Sequence, residues 1–566
     1  MLATMKKLSF SIALIFLLLT SCTTEQKVTM SGIISNYESL EKEFDTESQW
    51  PQFDEELLNT KKEKLIGFLD EVQDIDDSEL SEEDRINKDM LALIVRDKIE
   101  GLKFRIHEFP LNAEGGFLTG IIYEINGTRI KNGQDQKEYI DKLKALPKYL
   151  DDRIGHLTSG MKRGVVAPKL ITNLCLGMVD EVANTTAEHT FFMQPVNDHE
   201  IKSEVADIVN DKIIPAYQKL STFLNDTYLP NAQERIGVRS IPGGKNYYEH
   251  RVRYFATDSI TPKEVFDIGM SEVKRIRGEM EQIIKEVEFD GSFEDFQVFL
   301  RTSPQFYAKT PEEILNKAAW ITKQMEGELP KYFGKLPMMP LTVKPVPAAI
   351  APNYTSGRYS EGSYENKKAG EYWVNTTKLE SRPLYALPAL SLHEGVPGHH
   401  TQIMLAAEMD LPDFRRDTYL SAFGEGWALY CEYLGKEAGM YTTAYEDYGR
   451  LVYEMWRACR LVVDPGMHYM GWSREKAYNF MKENTALSIH EINTEINRYI
   501  GWPAQAISYK LGELKIKELR KYAEVELGDS FEITAFHDAI LSNGSVPLNT
   551  LERIIHKWVE SKRESK

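Results

Sequence analysis

The segment His393-Glu394-Gly395-Val396-Pro397-Gly398-His399-His400 contains three of the 12 histidines in a chain of 566 residues. So dense a group of a rare residue beside a glutamate indicates a metal site, because imidazole and carboxylate groups are common zinc ligands. The four cysteines form no Cys-x-x-Cys pair, so thiolate ligands and a disulfide framework are not expected. A metal in this chain should therefore be bound by histidine and carboxylate.

The spacing of the histidines decides how they can share one ion. In the zinc peptidase motif His-Glu-x-x-His, two imidazoles lie one helical turn apart and the glutamate activates a water molecule. His399 follows His393 by six residues, which is about 240° around an unbroken helix. Pro397 and Gly398 predict that the helix loops out near Val396-Pro397 and resumes at Gly398, so that His399 takes the second ligand position.

His400 is the competing second ligand. On an unbroken helix it lies only about 20° from His393, but it is displaced by roughly 10.5 Å along the axis. Both nitrogens must lie about 2 Å from one zinc ion, so the spacing favours His399. If His399 is the ligand, we expect His400 to lie just outside the ligands and to help orient them.

Glu425 is the predicted third ligand. It lies 26 residues after His399, inside the strongly apolar segment 419–434. An unpaired buried carboxylate is costly, so a metal partner explains its presence, whereas a core helix carrying one salt bridge is the alternative. Glu432, two turns further on a similar face, is expected to orient a ligand histidine.

Helix signals dominate the rest of the chain. Ser81 with Asp84, Thr261-Pro262-Lys263-Glu264, Thr310-Pro311-Glu312-Glu313 and Ser488 with Glu491 each resemble a capped helix start. Two strands are predicted, at residues 341–346 and 372–376, and the second follows a loop over residues 352–370 that is rich in Gly, Ser, Tyr and Asn. The sequence therefore predicts a mostly helical protein with a small β-sheet in its second half.

The N-terminus carries an export signal. Lys6 and Lys7 precede an apolar run that ends in Leu19-Thr20-Ser21-Cys22, a bacterial lipobox. We expect residues 1–21 to be removed and Cys22 to be lipidated, so that the chain is anchored to a membrane of the cell envelope by lipid only. The formal net charge of −18 makes nucleic acid an improbable partner.

At these residues the sequence resembles domain-of-unknown-function family 885 (DUF885), bacterial lipoproteins and enzymes placed among the zincin-like metallopeptidases. The matching segments are residues 349–353, 370–376, 393–402, 424–434, 457–468 and 495–512. The resemblance implies a two-lobed gluzincin fold with a deep cleft, similar to thimet oligopeptidase and dipeptidyl carboxypeptidase. It also implies one zinc ion held by His393, His399 and Glu425, with Glu394 as the catalytic base.

The expected unit has an N-terminal helical region, residues 22–240, packed against a catalytic region, residues 241–566. Peptide hydrolysis needs donors for the oxyanion of the tetrahedral intermediate as well as an activated water. Tyr509 is the candidate oxyanion donor, and Gln505, one turn away on the same helical face, is a supporting polar group.

Arginines near the metal could bind the substrate's terminal carboxylate. Arg457 and Arg498 are the candidates, because a guanidinium can pair with a carboxylate through two hydrogen bonds. An internal pair, such as Arg460 with Asp464, is the alternative.

The predicted strand at residues 372–375 should form the edge strand that pairs with substrate backbone. Its residues Tyr372 and Asn375, together with Tyr354, are candidate substrate contacts. His468 is expected near the site as a group that orients its neighbours.

Three functions compete at this stage. The first is a zinc metallopeptidase that cleaves oligopeptides at the cell envelope as a carboxypeptidase or dipeptidyl carboxypeptidase, with endo-cleavage of short peptides as the alternative mode. The second is a non-catalytic peptide-binding lipoprotein, and the third is a zinc hydrolase of another amide, such as a peptidoglycan cross-link. The presence of Glu394 favours catalysis, since a pure binder has no need of a base beside its metal ligand.

Overall fold

Helices make up most of the chain in the computed structural model, which describes residues 29–44, 49–112, 116–348, 351 and 354–564. The lipobox and Cys22 lie outside the described residues. Among the described residues, the first nine α-helices are α1 (Met30–Phe44), α2 (Glu55–Gln73), α3 (Glu82–Phe104), α4 (Phe117–Gly127), α5 (Gly133–Lys162), α6 (Lys169–Ala183), α7 (Lys202–Ile208), α8 (Ile214–Phe223) and α9 (Gly244–Ala256).

The predicted helix starts are confirmed. Ser81 accepts a hydrogen bond from the backbone of Asp84 at the start of α3. Three further helices precede the sheet, namely α10 (Pro262–Glu286), α11 (Phe293–Thr302) and α12 (Pro311–Tyr332). Thr261 forms a complete capping box with Glu264, and Thr310 caps α12 through the N–H of Glu313.

One three-stranded sheet follows, with strands β1 (Leu341–Pro345), β2 (Gly357–Ser360) and β3 (Gly370–Val374) in the order β1-β3-β2. β1 is parallel to β3, and β2 is antiparallel to it. The prediction that residues 372–375 form an edge strand is therefore wrong, because strands on both sides pair with β3. The edge nearest the predicted metal ligands belongs to β2, which lies in the predicted loop.

The remaining helices carry most of the predicted site residues. They are α13 (Leu387–Glu394), α14 (His399–Ala407), α15 (Asp413–Arg416), α16 (Ser421–Glu437), α17 (Ala444–Pro465), α18 (Arg474–Asn484), α19 (Ile489–Gly501), α20 (Ser508–Leu527), α21 (Ile533–Leu541) and α22 (Leu548–Glu564). Nearly every residue of α17 is buried. A helix that is buried on all sides lies at the centre of a core, and α10 and α13 pack against α17.

The N-terminal helices are joined to the C-terminal ones by ion pairs. Arg553 of α22 pairs with Glu82 and Asp89 of α3. Arg415 of α15 donates to the side chain of Asn87 at 3.2 Å. The chain is thus mostly helical with a small sheet, as predicted, while the two lobes, the cleft and the boundary at residue 240 stay predictions. In the part of the chain that the structure describes, no helix has the length and apolarity needed to cross a membrane.

Two glycines bring α16 and α20 into direct backbone contact. A Cβ atom on Gly512 would lie 1.8 Å from the carbonyl oxygen of Ala422, and one on Gly426 would lie 2.5 Å from the Cα of Gly512. Any larger residue at these positions would separate the helices. The close approach holds Glu425 of α16 near Tyr509 of α20, two predicted site residues that are far apart in sequence.

A buried lysine next to Tyr509 locks α20 to the core. Lys510 is fully buried, and its ammonium group lies 2.7 Å from Glu454, 2.6 Å from Glu513 and 3.1 Å from Glu272. These carboxylates lie on α17, α20 and α10. A buried charge persists only where it is paired, so this ion-pair network fixes the position of α20 relative to both neighbours.

Asp464, near the end of α17, is a fully buried carboxyl group. It accepts hydrogen bonds from the Tyr248 hydroxyl at 2.6 Å and from the Ala504 N–H at 3.0 Å. Burial outweighs these bonds and raises the pKa of Asp464 from 3.8 to about 7. Asp464 therefore remains protonated in the folded protein at pH values where an unfolded chain has already ionised it.

Asp464→Asn should remove a loss of stability that the wild type suffers as the pH rises. The raised pKa of the folded state means that this loss develops between about pH 4 and pH 7 and is on the order of 4 kcal/mol at most. Urea unfolding at pH 4.5 and 7.5 measures this loss: the free energy of unfolding of the variant relative to that of the wild type should be larger at pH 7.5 than at pH 4.5. Asp290→Asn, at an exposed position, is the control. If the free energy of unfolding changes by the same amount between the two pH values in the wild type and in Asp464→Asn, the buried carboxyl does not titrate in this way.

Candidate metal centre

The helix that carries the histidines is interrupted where the sequence predicts it. α13 ends at Glu394, α14 begins at His399, and the Val396–Pro397 peptide bond between them is cis. The Gly398 N–H donates to the carbonyl of Leu392 at 3.0 Å. A Cβ atom on Gly398 would lie 2.0 Å from the carbonyl oxygen of His393, so only glycine fits this tight return. The predicted interruption is confirmed, with α14 resuming one residue later than expected.

The interruption brings His393 and His399 together at Glu425. The Nε2 atoms of both histidines lie 3.4 Å from Oε2 of Glu425. One ligand atom from each of the three residues lies within 4.8 Å of the others. In a tetrahedral zinc site with bonds of about 2.0–2.1 Å, neighbouring ligand atoms lie about 3.3 Å apart. The spacing and the chemistry of the three donors therefore fit one divalent ion.

Glu432 fixes the orientation of His393. Its Oε1 lies 2.8 Å from Nδ1 of His393, which places a proton on Nδ1 and turns Nε2 toward Glu425. Burial disfavours a charged imidazole, but the hydrogen bonds with Glu425 and Glu432 outweigh it and raise the pKa of His393 to about 9. Burial also opposes ionisation of Glu425, yet both imidazoles hold its pKa well below the usual range. The surroundings therefore favour positive charge at the point where the three groups meet.

His400 lies outside this cluster. Its Nδ1 is 3.1 Å from the Tyr359 hydroxyl, and its Nε2 is 3.0 Å from the backbone oxygen of Met339. Both ring nitrogens are thus engaged, and the geometry places His399 rather than His400 at Glu425. Through Tyr359, His400 supports strand β2.

Glu394, the predicted base, is the last residue of α13 and directly follows His393. Its Oε2 accepts a hydrogen bond from the backbone N–H of Tyr359 at 2.8 Å. The side chain is partly exposed, whereas His393 is buried. Strand β2 thus holds one oxygen of this carboxylate beside the cluster.

Tyr419 is a site residue that sequence reasoning missed. Its hydroxyl donates to Glu425, and the pKa of Tyr419 lies well above its usual value because that hydroxyl is desolvated beside a carboxylate. The ring lies over Gly424, where a Cβ atom would come within 2.4 Å of it. Two helical glycines around Glu425, at positions 424 and 426, were the available signal, since glycine inside a helix often marks a close approach.

Tyr509 lies between the arginines and the cluster. The guanidinium carbon of Arg460 lies 4.3 Å from the centre of the Tyr509 ring. Burial raises the pKa of Tyr509, and the nearby charge of Glu425 adds to the effect. Gln505 donates to its hydroxyl, although it lies in a 3₁₀ turn before α20 and not on the same helix as the sequence predicts. The phenol is therefore a neutral donor close to a predicted metal ligand.

The two arginines predicted to bind substrate are both engaged by other protein groups, and Arg457 is buried while Arg498 is partly buried. Arg498 lies 3.0 Å from Glu495 and also donates to Gln505. Arg457 lies 3.6 Å from Glu432 and stacks on Trp456, with its guanidinium carbon 4.3 Å from the ring centre. The expected Arg460–Asp464 pair is not formed, since Arg460 pairs with Glu495 at 3.0 Å.

The other predicted contacts serve the surrounding framework. Tyr372 is fully buried, with its hydroxyl 3.4 Å from that of Ser391. Asn375 is also fully buried and donates to backbone carbonyls of the loop before β2, including Tyr354 at 3.0 Å. His468 bridges the backbones of Val238 and Tyr499 at 3.1 and 2.9 Å. The hydrogen bonds of Tyr372, Asn375 and His468 thus hold core and loop segments of the protein in place.

The fold and the site define a mostly helical protein with a small sheet and a His-His-Glu cluster suited to a divalent ion. The chain belongs to the family of bacterial proteins of unknown function DUF885, whose model matches residues 29–555. No curated protein shows significant similarity to the chain.

Two solved structures share the fold. A candidate lipoprotein from Colwellia psychrerythraea is 26% identical, with a TM-score of 0.86, and the match covers 94% of this chain and 99% of that one. A candidate lipoprotein of unknown function from Shewanella oneidensis is 16% identical, with a TM-score of 0.71, and the match covers 94% of this chain and 100% of that one. The described fold is thus similar to both over nearly the full length of each chain.

Proposed function

We propose that the protein is a zinc-dependent peptidase that hydrolyses oligopeptides. One observation carries the proposal: His393, His399 and Glu425 converge within 4.8 Å, and Glu394 lies beside them. A binder needs the three ligands alone. The additional carboxylate, partly exposed and adjacent in sequence to a ligand, favours hydrolysis over binding.

The chain's own groups have distinct tasks in this proposal. A zinc ion held by the three ligands would supply Lewis acidity and lower the pKa of a water molecule. Glu394 is placed to accept a proton from water on the oxygen that Tyr359 does not hold. Tyr509 donates a hydrogen bond toward the oxyanion, because its phenol remains neutral beside Glu425, whereas the single hydroxyl proton of Tyr419 is already donated to Glu425.

Strand β2 offers an edge along which a peptide can lie. The Ser356 carbonyl accepts from the N–H of Asn375, so the backbone groups of alternate β2 residues face β3. Those of Gly357 and Tyr359 consequently face away from the sheet, and the Tyr359 N–H reaches Glu394. An extended substrate that pairs with this edge has its backbone beside the base, which is the β-augmentation mode of peptide binding.

We also propose that the protein acts at the cell envelope, anchored by lipid on Cys22. The lipobox supports this, and so does the similarity to two proteins described as candidate lipoproteins. An oligopeptide exported to or generated in that compartment is then the substrate. A peptidoglycan cross-link is the related alternative, since it is also an amide.

Metal analysis and peptide digestion of the purified wild type test the proposal. We expect about one zinc per chain and cleavage of short peptides from a synthetic library, detected by mass spectrometry. Chelation should stop cleavage, and added zinc should restore it. A metal-bound protein that binds these peptides without cleaving them would instead establish a binding protein, and a protein without metal after zinc reconstitution would refute the site.

A further inference from the structure

Arg358 lies on β2 immediately before Tyr359, whose N–H holds the base Glu394. Side chains alternate along a strand, so Arg358 and Tyr359 point to opposite faces of the sheet. Tyr359 is buried against His400, whereas Arg358 is exposed. A guanidinium therefore lies on the solvent side of the strand that we propose as the substrate-binding edge.

Arg358 differs from most arginines around the site in its partners. Within the described residues, it forms no ion pair with a carboxylate, and its guanidinium donates to the hydroxyl of Tyr354. By contrast, Arg457 and Arg460 are buried, the side chain of Arg498 is only 10% exposed, and all three lie within 4 Å of a glutamate. Arg358 is thus the arginine next to the base that keeps both solvent access and unused donors.

Two tyrosines surround Arg358. Tyr354 is held by its backbone carbonyl, which accepts from Asn375 at 3.0 Å and from Arg382 at 3.0 Å. Tyr123 of α4 is 62% exposed and lies near both Arg358 and Tyr354. The guanidinium therefore has aromatic, neutral neighbours on two sides, and Glu394 is the carboxylate close enough to influence it.

The arrangement of Arg358 with Tyr354 and Tyr123 suits the binding of a planar anion. A guanidinium with free donors binds a carboxylate through two parallel hydrogen bonds, and phenol hydroxyls can donate to the same oxygens. Residues along a strand are about 3.3 Å apart, so an anion held at Arg358 lies within about two residues of a peptide bond that faces Glu394.

We propose that Arg358, with Tyr354 and Tyr123, binds a carboxylate of the peptide substrate next to the cleaved bond. This inference rests on the proposed peptidase function and names its specificity. The carboxylate is either the free C-terminus, which makes the enzyme a carboxypeptidase or dipeptidyl carboxypeptidase, or an acidic side chain within the peptide.

The test compares Arg358→Gln with Lys344→Gln in zinc-loaded protein. Lys344 is a matched control, because it lies in the same cross-strand row as Arg358, with Trp373 between them, and already pairs with Glu371 at 2.6 Å. The substrates are one peptide with a free C-terminus, the same peptide amidated, and versions with an internal acidic residue replaced by its amide.

We expect Arg358→Gln to raise KM for the free-acid peptide by about 10–100-fold, as the loss of a charge-assisted pair does. The amidated peptide should be cleaved equally poorly by the wild type and the variant, and the Lys344→Gln variant should behave as the wild type. If the selective loss follows the internal acidic residue instead, a side-chain carboxylate is the ligand. Equal cleavage of every peptide by Arg358→Gln and the wild type would overturn the inference while leaving the peptidase intact.

Binding measurements separate this inference from the peptidase proposal. Calorimetry of Glu394→Gln with the free and amidated peptides needs no turnover. Tighter binding of the free acid, lost in the double variant with Arg358→Gln, supports the carboxylate site even if the wild type cleaves nothing. Affinity for both peptides that Arg358→Gln leaves unchanged refutes it.

Discussion

Glu394→Gln should leave the protein folded and metal-bound while lowering kcat at least about 100-fold. The amide keeps the shape of the side chain, and its oxygen can still accept the hydrogen bond from the Tyr359 N–H. The nitrogen that replaces the other oxygen cannot take up a proton from water. The change therefore removes the base and little else.

The measurement combines zinc stoichiometry with kcat on a peptide that the wild type cleaves. Glu365→Gln is the control, because Glu365 is exposed and lies on the loop that follows β2. We expect this variant to match the wild type in both quantities. Activity of Glu394→Gln within about tenfold of the wild type would assign the base to another group.

The helical part of the fold could be predicted because its signals are local. Thr261 and Glu264 cap a helix through atoms three residues apart, and the structure places both bonds where the pattern predicts them. Strands β1 and β3 were also found from their composition. β2 was not, because Gly357 and Ser360 are poor strand formers and the strand exists only through its pairing with β3. Whether a strand is central or at an edge depends on such non-local pairing, which explains why the prediction of an edge strand at residues 372–375 was wrong.

The residues of the candidate site also differ in whether local sequence signals or non-local contacts identify them. His393, His399 and Glu425 could be chosen because each stands out in its own segment, by rarity or by its apolar surroundings. Tyr419 could not be chosen, since its contact with Glu425 requires the chain to fold back over Gly424. The arginines show a further limit: their sequence segments predicted guanidinium groups near the candidate metal site, but only packing shows which of them already pair with glutamates.

For Glu432, one contact could be predicted from the sequence and another could not. Sequence spacing placed it on the same helical face as Glu425, and the structure adds that it also faces Arg457 at 3.6 Å. One of its oxygens holds His393, and the other is buried without a hydrogen-bond partner among the described residues. Glu432 therefore depends on the charges of His393 and Arg457 for its stability, and the orientation of His393 depends on it.

Glu425→Ala and Glu432→Gln should weaken metal binding to different extents. Alanine at position 425 removes one of three ligands and leaves two imidazoles, so we expect zinc affinity to fall by well over about 100-fold. Glutamine at position 432 can still accept the hydrogen bond from Nδ1 of His393 but carries no charge, and a loss of about 10–100-fold is expected. Competition with a chelator of known affinity gives both values, and circular dichroism checks that the helices persist.

Glu437→Gln supplies the control for this pair of variants. Glu437 lies on the same helix, α16, but pairs with Arg520 at 2.9 Å, away from the cluster. Its zinc affinity should equal that of the wild type. Equal losses in Glu425→Ala and Glu432→Gln would mean that Glu425 acts on the metal only through the histidines. An unchanged affinity in Glu425→Ala would remove it from the ligand set, and the buried carboxylate would then be explained by its ion pairs with His393 and His399 alone.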